Sequence, residues 1–265
     1  MKHILFVLLA LAACSRAPDA TPPDASNTLS IADGAGNRME ALANPDAEHT
    51  ARWCTGDGVW CVSASDEVAP AVTNTQTETT TELPLVEEGS AGVWPMIVRS
   101  RGAGGGEDVI VGITATKQEG YSGGGASQSL LQLYSISSES GLATTALEHP
   151  LPLAGAADIR ACFSEQDTAN RRDACSDQYN FEGALTLDTA PTSGSPVLIF
   201  TTEASTYPGR VSRSEDSTAA PPLTQADLVH VRDERCSYRR TLSRNADGAY
   251  IPDVPLPECP DYFTQ

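Results

Sequence analysis

Beyond its first fourteen residues, no long segment of this chain carries a helical period. Its apolar residues fall in short runs divided by Gly, Pro, Asn and Asp. Runs that short cannot build amphipathic helices, but they can cross a sheet. The expected fold is therefore all-β: a single β-rich domain, as a sandwich or a barrel-like meander, with a propeller-like arrangement of meanders also open. No internal repeat narrows that choice.

The best strand candidates are residues 93–99 (VWPMIVR), 108–116 (DVIVGITAT) and 129–136 (SLLQLYSI). Glycine-rich turns at 102–106 and 118–125 join them into a meander. Residues 179–188 alternate, with Tyr179, Phe181, Gly183, Leu185 and Leu187 sharing one face. Residues 196–202 read as a buried strand, and 142–153, 227–232, 236–243 and 249–251 as further strands. Residues 51–62 read as a hairpin about Asp57-Gly58. The threonine run 73–82 fits an exposed edge strand or a loop, and 162–175 a short helix or a loop. Residues 38–43 fit a turn or two of helix stopped at Asn44-Pro45. The folded part is expected to start near Ala51, and the proline-rich end to cover it.

Seven cysteines are present. Six lie in the folded part: Cys54, Cys61, Cys162, Cys175, Cys236 and Cys259. Their spacing suggests three nearest-neighbour disulfides, 54–61, 162–175 and 236–259, each closing a local loop. Zinc fails on spacing, because there is no Cys-x-x-Cys and no histidine pair nearby. Disulfides in turn imply an oxidising compartment.

The first fourteen residues fit that compartment. Lys2 and His3 precede an apolar run from Ile4 to Ala13, which ends at Cys14. A membrane-spanning helix needs about twenty apolar residues, so the run reads as a removable secretory leader. Leu11-Ala12-Ala13-Cys14 resembles the lipobox of bacterial lipoproteins. The resemblance covers the N-terminus alone. It implies cleavage before Cys14, lipid attachment at Cys14, and sorting to the outer membrane with Ser15 next. Residues 1–13 are then the leader, 14–50 the lipidated cysteine and a Pro-, Ala- and Ser-rich tether, and 51–265 the folded domain.

The formal net charge is −18. Such a surface repels nucleic acid and anionic headgroups. No cofactor motif stands out. Gly102–Gly106 lacks the Lys-Ser/Thr ending of a phosphate loop and is followed by acids. Asp57, Asp233, Glu234, Asp247 and Asp253 lie in turns without the spacing of a calcium loop. Gly120-Tyr121-Ser122-Gly123-Gly124 matches the Gly-x-Ser-x-Gly pattern of a nucleophile elbow, for which His149 and His230 are the later histidines. A strand follows it where an elbow needs a helix. Trp53, Trp60, Trp94, Tyr121 and Tyr134 are either core or a ligand platform. Arg232, Arg235, Arg239 and Arg240 are either an ion-paired strand surface or an anion site.

The expectation is a lipid-anchored envelope protein that binds a protein or a glycan without catalysis. A structural part of a larger envelope complex is the second form of that reading. The alternative is a periplasmic hydrolase using Ser122 or paired carboxylates.

Overall fold

The computed structural model describes residues 30–44, 51–85, 88–102, 105–209 and 211–263. The expected leader, Cys14 and most of the tether lie outside the described residues. In chain order the strands are β1 (Ser30–Ala32), β2 (Arg38–Ala41), β3 (Arg52–Cys54), β4 (Trp60–Ser63), β5 (Ala71–Asn74), β6 (Thr79–Glu82), β7 (Ser90–Arg101), β8 (Glu107–Tyr121), β9 (Gly124–Ile136), β10 (Ala143–Thr145), β11 (Leu151–Arg160), β12 (Ser176–Leu187), β13 (Leu198–Tyr207), β14 (Val231–Arg232), β15 (Arg239–Arg244) and β16 (Tyr250–Pro252). One short helix, α1 (Glu165–Asn170), sits between β11 and β12.

Twelve strands form one antiparallel sheet, ordered β1-β2-β7-β8-β9-β11-β12-β13-β15-β16, with β10 on β9 and β14 on β13. The other four form a small meander, β3-β4-β5-β6. The large sheet returns toward itself. The Tyr250 N–H of β16 donates to the Ala146 carbonyl, and Tyr250 bridges Leu147, just beyond β10.

Three cores follow from strand alternation. Val98, Ile110, Leu131 and Leu133 from the first half of the large sheet pack with Leu185, Leu198, Phe200 and Leu242 from the second. Their sequence neighbours Ile97, Val109, Val111 and Tyr134 point the other way, as period two requires. These take the small sheet's Trp60, Val62 and Val72. Tyr179 and Phe181 pack with Tyr262 of the C-terminal segment.

All three expected disulfides form: Cys54–Cys61, Cys162–Cys175 and Cys236–Cys259. The first joins directly opposed residues of the β3–β4 hairpin. The second closes the loop that holds α1. The third ties the C-terminal segment over Tyr179 and Phe181.

Two buried arginines fasten the parts together. Arg99 of β7, 5% exposed, meets Glu40 of β2, Glu107 of β8 at 3.0 Å, and Asp57 of the β3–β4 turn at 2.8 and 2.9 Å. It thereby joins the small sheet to the large one. Burial works to raise the Asp57 pKa, but hydrogen bonds from Thr55, the Val59 N–H and Arg99 outweigh it and hold the carboxyl low. Arg171 pairs with Asp177 below α1, where Ser217 also donates to Asp177.

Five expectations need correction. Residues 118–125 are mostly strand: β8 runs to Tyr121 and β9 starts at Gly124, so the turn is only Ser122-Gly123. Residues 38–41 are a strand, not a helix. Met39 pairs with Val98 and is buried, so sheet pairing overrides a modest helical preference. The sheet thus includes Ser30 onward, ahead of Ala51. Residues 142–153 are not one strand: β10 and β11 are separate, and β11 runs on to Arg160. In 227–232 only Val231–Arg232 is strand, because Gln225–Asp227 forms a 3-10 turn.

Candidate functional site: an open trough across four strands

β8 and β9 pair without a break from Val109 opposite Ile136 to Tyr121 opposite Gly124. At one end, the face carrying Ile110, Leu131 and Leu133 lies in the main core. At the other end the same face emerges and becomes polar.

Two rows of directly opposed residues cross the sheet there. Gln118, Ser127, Ala156, Asn180 and Ser205 make one; Gly120, Gly125, Asp158, Gln178 and Tyr207 make the next. Directly opposed residues share a face of the sheet. The floor is small where Gly120, Gly125, Ser127 and Ala156 meet, and longer side chains rise from Gln118, Asp158, Gln178 and Asn180. The result is an open trough of about 550 Å³. Among the described residues, the side chains of those four polar residues make no hydrogen bond within the chain.

Near the β8–β9 turn, beyond the trough rows, two aromatic side chains are exposed. Tyr121 is 44% exposed and Phe163 is 64% exposed. Between them Arg160 donates its backbone N–H to the Gly123 carbonyl and lies 5.1 Å over the Phe163 ring. At the β13 end of the second row Tyr207 stacks on His230, with ring centres 5.0 Å apart.

The structure places the residues singled out from the sequence as follows. Ser122 sits in the tight β8–β9 turn, and a strand follows it. Gly124 in that turn has φ +151°, and a Cβ there would fall 1.8 Å from the Asp158 carbonyl oxygen. Close approach of β11 therefore accounts for at least that glycine. His149 precedes β11, at the end away from the turn, on the order of 25 Å along the strand. His230 lies past β13, at least three strand spacings from β9, on the order of 14 Å. Ser122 meets neither histidine.

One pair of carboxylates does meet. Glu182 and Glu203 are directly opposed on β12 and β13, one row beyond Asn180 and Ser205. Arg232 donates to Glu203 at 2.9 Å and holds that carboxyl below its ordinary range. Both glutamates are exposed. A glycosidase acid needs a raised pKa, usually through burial, and this pair lacks that burial.

Trp60 and Trp94 are core residues, and Trp53 packs on the small sheet's core. Tyr134 is buried, and burial pushes its hydroxyl up to about 12. Of that aromatic set only Tyr121 is largely exposed. Arg232 is ion-paired with Glu203 and Glu234, while Arg240 stacks on Tyr238. Asp57 serves Arg99, and Asp233 accepts from Tyr262 at 3.0 Å. Among the described residues no three His, Cys, Asp or Glu side chains gather as a metal site.

The trough residues escaped the sequence reading. Their one signal was the polar complement of the 179–188 alternation, Gln178, Asn180 and Glu182. The chain matches no family model, no curated protein and no solved structure.

Proposed function

We propose that this is a lipid-anchored protein of the cell envelope, held in the outer membrane through Cys14, whose β-domain binds an envelope component without catalysis. The trough is the binding surface. The observation that supports it most is the pair of aligned rows. Four hydrogen-bonding side chains with no partner in the chain rise around a floor of small residues. Polar groups placed over a recess can exchange water for a ligand at low ordering cost, because the strands already hold them in position.

Two measurements test this. Cys14→Ser should move the protein from the membrane fraction to the soluble fraction; unchanged membrane retention would remove the anchor. Ala156→Trp places a large ring on the trough floor. In pull-downs from envelope extract, it should release whatever the unmodified protein retains. Retention that is indifferent to Ala156→Trp contradicts binding through this face.

A further inference from the structure

We propose that the trough takes a neutral polysaccharide chain laid across the strands, a deeper reading of the same site that rests on the binding role above.

The strands themselves exclude one alternative. Along both rows the backbones of β9, β11 and β12 are paired on each side, so a peptide cannot dock here by adding a strand. Recognition must use side chains. Gln118, Gln178 and Asn180 each present a donor and an acceptor in one plane, and Asp158 presents acceptors. Sugar hydroxyls both donate and accept, so this set complements a polyol.

Charge selects among polyols. Asp158 and Glu119 line the trough, and no lysine or arginine does. On the next row Glu182 is unpaired among the described residues, while Arg232 neutralises Glu203. Arg160, two residues beyond Asp158 on the same face, is turned to the Cys162 carbonyl and the Phe163 ring. The carboxylates of Asp158 and Glu182 oppose phosphate, uronate and sulfate groups and favour neutral glycans. An aromatic ring suits the same ligand. Tyr207, opposite Gln178 at the β13 end of the second row, offers a flat apolar face to the C–H face of a pyranose ring.

Length selects a chain over a single sugar. From β8 to β12 the trough crosses three strand spacings, on the order of 14 Å, and the rows continue onto β13. A recess of about 550 Å³ is also in the range of sites that hold extended ligands.

The test is calorimetric titration of the full-length protein in detergent with cello-, xylo-, manno- and chito-oligosaccharides, and polygalacturonate for comparison. At least one neutral series should bind, more tightly as the chain lengthens. Asn180→Ala should weaken it about tenfold, the loss of one or two hydrogen bonds. Ala156→Trp should abolish it with an unchanged circular dichroism spectrum. If Ala156→Trp fails to fold, Asn180→Ala and Gln178→Ala carry the test. Failure of every neutral series to bind overturns the inference. So does tighter binding of polygalacturonate, or neutral binding indifferent to the variants. If no neutral glycan binds but pull-down retention still depends on residue 156, the glycan inference falls and the binding role stands. If that dependence is missing too, both fall.

Discussion

One face of β8 and β9 has two fates. Near Ile110, Leu131 and Leu133 it lies in the main core and none of these side chains is exposed. A few residues along the same strands, at Gln118, Gly120, Gly125 and Ser127, it carries amide and small side chains and forms the trough. Backbone pairing is continuous through both. The difference therefore lies in the side chains and in what packs on them. The second half of the large sheet folds over the apolar end, and leaves the polar end open. Stability and binding are carried by different stretches of the same strands.

That division can be broken by substitution. Leu133→Ala at the core end removes a fully buried side chain from close packing. It should cost about 3 kcal/mol and lower the melting temperature by about 6–12 °C; a small change would mean that the core is not closed there. Arg99→Ala acts on the opposite face of β7. It leaves Glu40, Asp57 and Glu107 facing one another without their cation. Asp57 and Glu107 retain access to water, so the expected loss is about 2 kcal/mol. Denaturant melts with unchanged stability would show that the small sheet is held by its apolar contacts alone.

Alkali offers a smaller lever. Burial raises the Tyr134 hydroxyl to about 12 and also raises that of Tyr250. The unfolded tyrosine titrates near 10. The folded state therefore holds these protons more tightly, and stability should be full below about pH 10 and fall between about pH 10 and 12. The effect should be on the order of 1 kcal/mol for Tyr134, with Tyr250 adding in the same direction. Urea midpoints at rising pH measure it, and a flat profile would contradict the burial. The smallest change belongs to the open end. Asn180→Ala should alter stability by less than about 0.5 kcal/mol, because its side chain is exposed and makes no bond within the chain.

The sequence showed the core end far better than the trough. Strands rich in Val, Ile, Leu and aromatic residues, such as β8, β9, β12 and β13, stood out by composition and alternation. Near-neighbour cysteines pointed to the three disulfides. The second half of β11, Ala154 to Arg160, reads AGAADIR and has little strand preference. It is a strand because β9 and β12 pair with it on both sides. Those small residues also make the trough shallow and open. The feature that hid β11 in the sequence is the one that shapes the site. Gln118, Asp158, Gln178 and Asn180 come from three strands separated in the chain, β8, β11 and β12, and only the sheet register aligns them. The strand at Arg38–Ala41 was obscured for a related reason: its apolar content is low, and its place is set by pairing with β7.

The most direct test of the two-ended account is hydrogen–deuterium exchange with and without the best-binding neutral oligosaccharide. The account predicts added protection at Gln118–Tyr121, Gly125–Ser127, Ala156–Asp158 and Gln178–Asn180. It predicts none at Ile110, Leu131 or Leu133, whose amides are already slow in the core. Protection confined to other surfaces, or spread evenly over both ends of β8 and β9, would contradict it.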